Sequence, residues 1–144
     1  MPLVVEKIKD GTVIDHIAAG KGASVLRILS AHYPAGGAAA LILNVHSKKL
    51  GRKDIVKMEG IFVEEKFANR ISLLAPGATM NIIRGGRVAD KHSVAVPRVL
   101  SGMLRCPNPR CITNSEGAET SFSAEGKKFR CRHCERAFLA EEFA

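Results

Sequence analysis

The stretch GTVIDHIAAGKGASVLRILSAHY, residues 11–33, changes its hydrophobic period half-way along. Its first part, TVIDHI, follows an Asp10-Gly11 turn signal and is rich in β-branched residues, which reads as a strand. Further on, Val25, Leu26, Leu29 and Tyr33 fall on one face of a 3.6-residue period, which reads as a helix. Pro34 and the glycines after it stop that helix. A strand leading into an amphipathic helix opens an α/β-type unit, and the rest of the chain can be placed around it.

Upstream, VVEKI (4–8) reads as a further strand-like piece. Downstream, AAALILNVH (38–46) is a buried strand, and the polar loop SKKLGR (47–52) turns the chain into DIVKMEG (54–60), another strand. FVEEKFANRISLL (62–74) sets Val63, Phe67, Ile71 and Leu74 on one helical face, ended by Ala75-Pro76-Gly77. TMNIIR (79–84) and RVADK (87–91) pair through Gly85-Gly86, a two-residue hairpin signal. The order β-α-β-β-α-β plus one hairpin strand predicts an α+β, ferredoxin-like sandwich: an antiparallel sheet with two helices on one face. SVAVPRVLSGM (93–103) reads as a connector. We therefore expect a first domain over residues 1–97 and a second over 98–144.

The net charge is +8, from 22 Lys+Arg against 14 Asp+Glu. Residues 1–97 hold 14 basic and 8 acidic side chains and residues 98–144 hold 8 and 6, so the excess lies in the first part. Such a balance fits a polyanionic partner or simply a solvated basic surface. No apolar run has the length of a bilayer span. The opening MPLVVEKIKD carries charges where a signal peptide is apolar, so a soluble, cytoplasmic protein without a membrane partner is expected.

All four cysteines lie in the last part, as Cys106-x₄-Cys111 and Cys131-x₂-Cys134. Two closely spaced thiol pairs brought together by a hairpin supply the tetrahedral sulfur set of a structural zinc ion. The expectation is one zinc per chain and a small zinc-ribbon-like β domain. A segment of this size has little core, and metal binding can supply about 10–16 kcal/mol. Disulfides suit an exported protein, and a redox Cys-x₂-Cys would leave the other pair without a role. His133 lies between two ligand cysteines but outside the ligand set. Four thiolates and one divalent ion add about −2 to the tail, bringing its +2 to about zero, which weakens any grip on a phosphate backbone.

No nucleophile–base constellation stands out. Asp15 and His16 are neighbours on a strand, where successive side chains point to opposite faces, so they are not expected to form a dyad or a metal clip. GKGAS (20–24) lacks the spacing of a phosphate loop. What remains is a set of polar residues on apolar strands: Asp15, His16, Lys57, Asn81 and Lys91. An aspartate suits ribose hydroxyls and lysines suit phosphates, so this set points to anion or nucleotide binding, against the plainer reading of a polar solvent face.

These residues also carry a resemblance. GTVIDHI (11–17), GRKDIVKMEG (51–60), LAPGATMNII (74–83), CPNPRCITN (106–114) and FRCRHCE (129–135) resemble the regulatory chain of aspartate carbamoyltransferase, in order and over nearly the whole length. The resemblance implies a chain that is not itself an enzyme. Its first domain would bind CTP or ATP allosterically in pyrimidine biosynthesis, and its zinc domain would dock on a separate catalytic chain. It implies regulatory homodimers that bridge catalytic trimers. Carried over, Asp15 and Lys57 would meet the ribose, with Lys57 also near the base. His16 and Lys91 would face the triphosphate, with Asn81 and the backbone at Val88 beside them. Backbone groups at Lys7 and Ile8 would read the base, and Cys106, Cys111, Cys131 and Cys134 would hold zinc. Gly86 stands where the family often has a larger, aromatic residue, and the N-terminal arm is short. The alternative, from another class, is a zinc-ribbon nucleic-acid-binding protein. Against it stand a single tyrosine, no tryptophan and no aromatic stacking platform.

Overall fold

The computed structural model describes residues 7–34, 36–102 and 104–143, apart from the side chain of Lys66. The first sheet is built from β1 (Gly11–Ala18), β2 (Ala39–Ser47), β3 (Gly51–Glu59), β4 (Thr79–Arg84) and β5 (Arg87–Ser93). Its order is β2-β3-β1-β4-β5, with every neighbouring pair antiparallel. Two helices, α1 (Gly22–His32) and α2 (Ala68–Leu74), cover one face. This is the expected α+β sandwich with its added hairpin strand. A second antiparallel sheet follows, β6 (Val99–Ser101), β7 (Ser121–Glu125), β8 (Lys128–Cys131) and β9 (Ala137–Leu139), with one short helix, α3 (Ile112–Ser115).

The core of the first sheet follows from its alternation. Ile14 and Ile17 of β1, Val56 and Met58 of β3 and Met80 of β4 meet Val25 and Leu29 of α1 and Ile71 and Leu74 of α2. Leu26 and Tyr33 pack against this cluster as the helical period requires. Thr12, 1% exposed, ties β1 to the next segment, its hydroxyl donating to Ile61 O (2.7 Å) and accepting from Val63 N–H (3.0 Å).

Some boundaries differ from the sequence reading. Of VVEKI, residues 4–6 lie outside the described residues, and Lys7 and Ile8 belong to no strand. The helix expected over 62–74 starts at Ala68, after one 3₁₀ turn at Glu65–Phe67. Its apolar face is nevertheless the predicted one, with Val63, Phe67, Ile71 and Leu74 all buried. In the segment before it the Val63 N–H donates to the Thr12 hydroxyl. The 47–52 loop is shorter than expected, since β3 begins at Gly51, and the connector contains β6.

The larger departure is on β1. Ile14 pairs with Val56 but Ile17 pairs with Asp54, so two residues stand where a regular strand has one. This β-bulge carries His16 at φ 58°, and both flanking isoleucines stay in the core. Asp15 and His16 therefore share the outer face, contrary to the alternation expected from sequence. A matching bulge on β2 lies between Ile42 and Val45, with Asn44 at φ 56°. Asp54 sits between the two, fully buried. Its Oδ2 accepts from Gly20 N–H (3.0 Å) and Gly22 N–H (2.9 Å), and its Oδ1 from Asn44 N–H (2.8 Å).

The two halves share a seam. Leu73 of α2 belongs to the second core, with Leu100, Leu104, Phe122, Phe129 and Phe138. Phe143 sets its ring edge-on to Phe122, Phe129 and Phe138, with centroids 4.9, 6.1 and 6.0 Å away. Lys21 reaches Glu141 across the seam at 3.5 Å.

Two glycines separate steric from conformational demand. Gly11 (φ 146°) and Gly20 (φ 98°) both occupy backbone that side chains rarely adopt, but a Cβ on Gly11 would stand 2.1 Å from Met58 O, whereas one on Gly20 meets nothing. Gly20→Ala should cost about 1–2 kcal/mol for its backbone alone. Gly11→Ala must also force β1 from β3 and should lower the thermal midpoint several times as much; equal losses would refute this steric account.

Candidate functional site

The face of the first sheet opposite the helices carries a row of side chains fixed by register. Val13 of β1 pairs with Lys57 of β3 on one side and Asn81 of β4 on the other, and Asn81 pairs with Lys91 of β5. Lys57, Val13, Asn81 and Lys91 thus cross four strands in line, and side chains in such a line share one face. Apolar Ile55, Ile83 and Val88 flank the row. Together they floor an open cavity of about 350 Å³ lined by Lys7, Ile8, Val13, Asp15, Ile55, Lys57, Ile83, Gly86 and Val88. A strand face this apolar, left uncovered by any described element and edged by lysines, is suited to a flat ligand with an anionic end.

Of the sequence-predicted residues, Lys7, Ile8, Asp15, Lys57 and Val88 line this one cavity. Asn81 and Lys91 continue the row beyond it, Asn81 donating from Nδ2 to Val13 O at 3.3 Å. His16 stands apart. Its ring Nδ1 lies 3.3 Å from Thr79 Oγ1, on the far side of Asp15. Gly86 leaves one wall open, because nothing lies within 4 Å of where its Cβ would be.

Sequence reading missed Lys53. Its ammonium lies 2.8 Å from Asp15 Oδ1, and His16 N–H donates to the same carboxyl at 2.6 Å. Burial alone would raise the Asp15 carboxyl, but Lys53 and the His16 amide outweigh it and hold it below the usual carboxylate range. Extending β3 back to Gly51 reveals the signal, since 53, 55 and 57 then alternate onto one face. The amides at Gly20 and Gly22 are taken by Asp54, so the glycine turn before α1 is no phosphate cradle.

The second site is the cysteine cluster. The sulfurs of Cys106, Cys111, Cys131 and Cys134 all lie within 4.8 Å of one another, with Cys106–Cys134 and Cys111–Cys131 each at 3.8 Å. A tetrahedron of sulfurs about 2.3 Å from a central ion has edges of about 3.8 Å. Pro107 and Asn108 turn the first knuckle, where Asn114 Nδ2 donates to Cys106 O (3.0 Å) and Asn108 O (2.7 Å). Burial pushes the Cys111 thiol up, yet bonds from the hydroxyl and backbone of Thr113 more than offset it and Cys111 settles at about 6. Burial drives Cys106 the other way, well above a free thiol. Four sulfurs this close cannot all ionise against one another; a central cation removes that conflict, and the set fits a structural metal ion. His133 points elsewhere, its Nε2 2.9 Å from Glu119 O.

Comparison with known proteins bears on both sites. Residues 3–95 match the family described as aspartate carbamoyltransferase regulatory chain, allosteric domain, and residues 98–144 match that family's metal binding domain. Similar chains include the aspartate carbamoyltransferase regulatory chains of Pyrococcus abyssi (55% identical over 97% of this chain and 95% of that one) and Thermococcus onnurineus (52%, with the same shares). That of Saccharolobus islandicus is 48% identical over 97% of this chain and 90% of its own.

The Asp15–Lys53 pair gives an acid signature. A depressed folded pKa contributes stability that is present above the unfolded value, near pH 4, and lost as pH falls through the folded one. Asp15→Asn should lower the urea midpoint at pH 6 by an amount worth about 1 kcal/mol or less. The gap to wild type should close below about pH 4; a gap unchanged at pH 3 would contradict the ion pair.

Proposed function

Because the chain belongs to the family of aspartate carbamoyltransferase regulatory chains, in which its relatives are named as regulatory rather than catalytic chains, we propose that its outer sheet face binds the nucleotides CTP and ATP as allosteric effectors. The observation that carries this reading is the row Lys57–Val13–Asn81–Lys91 beside an open, largely apolar cavity that Asp15 also lines. A base would lie on Ile8, Ile83 and Val88 with the Lys7 and Ile8 backbone at its edge. Ribose hydroxyls would meet Asp15 and Lys57, and the triphosphate would run toward Lys91, Asn81 and His16. The open wall at Gly86 supports a pocket wide enough for purine and pyrimidine alike.

The residues 1–97 then form the effector domain and 98–144 the domain that docks on a catalytic chain, with regulatory dimers bridging catalytic trimers in the cytoplasm. Among the described residues no helix is long and apolar enough to cross a membrane. The ion in the cysteine cluster would be zinc, given four sulfurs in tetrahedral reach, the ligand set of a structural rather than a catalytic site. When bound it supplies folding energy. The chain's own part is to hold the two knuckles: Asn114 clamps the first, and the Thr113 hydroxyl, 3.1 Å from Cys111 Sγ, supports a ligand sulfur. An effector acts only through unequal affinity for two quaternary states, and a coupling of about 1–3 kcal/mol changes affinity about 5–150-fold.

Nucleotide titration followed by thermal shift tests the first site. CTP and ATP should each raise the midpoint, and Lys57→Ala or Lys91→Ala should weaken binding about 10-fold or more, as loss of a charged hydrogen bond does. Unaltered affinity in both variants would discard the assignment.

Metal analysis tests the second. The purified chain should hold about one zinc, the ratio expected of one four-sulfur site. A mercurial that displaces it should free a bound catalytic chain yet leave nucleotide binding intact. Loss of nucleotide binding would speak against the two-domain division.

A further inference from the structure

Three of the four clustered sulfurs are sealed: Cys106, Cys111 and Cys131 are 2%, 1% and 0% exposed. Cys134 is only half-buried. Its Sγ lies 3.8 Å from Cys106, while Cys111 and Cys131 form the other 3.8 Å contact, away from solvent. Cys111 and Cys131 are further engaged by donors, the Thr113 hydroxyl at 3.1 Å and the Cys134 N–H at 3.5 Å respectively. The cluster therefore consists of one pair reachable through Cys134 and one sealed pair. Cys106 belongs to the first knuckle and Cys134 to the second, so a bond between them would cross the module.

We propose that Cys134 is the oxidation site of a peroxide-responsive switch, joining to Cys106 and releasing the bound cation. The Cys134 thiolate attacks one oxygen of a hydroperoxide; the O–O bond breaks, an S–O bond forms and hydroxide or alkoxide leaves with the electron pair. The Cys106 thiolate then attacks the Cys134 sulfur; the S–S bond forms, the S–O bond breaks and a second hydroxide leaves. The two sulfurs give up two electrons between them, the peroxide takes both, and solvent protons complete water and, for an organic peroxide, the alcohol. With two of its four thiolates consumed, the cluster no longer holds a divalent ion. Because the new bond ties the same two knuckles that the ion tied, the module keeps its closure, and a dithiol plus metal restores the original state. The step rests on the metal reading above.

The test uses the full, metal-loaded chain and hydrogen peroxide, with released metal read by a chromogenic chelator, free thiols counted and peptides mapped by mass spectrometry. Two thiols should disappear for each ion released, with Cys106–Cys134 as the first disulfide, and dithiothreitol with added metal should reverse both. A first disulfide between Cys131 and Cys134 would overturn the proposal. So would sulfinic acid at Cys134 without a disulfide, or full metal retention under millimolar peroxide. A chain isolated without metal would overturn the metal reading as well, which separates the two failures.

Discussion

The carboxyl of Asp54 is the point on which the first sheet turns. A buried acid has to have its lone pairs met, at a cost of about 1–3 kcal/mol for each group left unpaired. Here three backbone amides meet it: two from the turn before α1 and one from the bulge on β2. One side chain thereby fixes where the helix starts, how β2 bends and how closely Gly22 packs, since a Cβ there would stand 2.7 Å from that of Asp54. The bulge on β1 falls opposite the same residue. That bulge places Asp15 and His16 together on the outer face.

Most element types, their order along the chain and the cysteine cluster were legible because they rest on local signals. Alternation gave the strands, a 3.6-residue period gave α1, Gly85-Gly86 gave the hairpin and cysteine spacing gave the second site. The bulge at His16 was not legible. A positive φ at a histidine leaves no mark in the sequence, and the strand it faces across the bulge lies some 38 positions further on. Lys53 escapes because it falls between the loop read over 47–52 and the strand read from Asp54, whereas β3 begins at Gly51.

The outer face and the cysteine module solve opposite electrostatic problems. Among the described residues the sheet face gathers Lys7, Lys53, Lys57 and Lys91 near Asp15 and Glu59, leaving a surplus of positive charge at the surface. Water screens such charge at little expense, and a polyanion can replace that water. The module gathers four thiols, three of them buried, where screening is weak and a metal ion is the compact remedy.

The placement of Leu73 has a thermodynamic consequence. On α2 its neighbours Ile71 and Leu74 are buried in the first core, while Leu73 is buried in the second. Burial of such a side chain is worth about 1.5–3 kcal/mol, and that contribution vanishes whichever half opens. Melting of either half thus withdraws support from the other, and the two transitions are drawn together in temperature. A seven-residue helix becomes the element through which two separately cored modules acquire a common cooperativity.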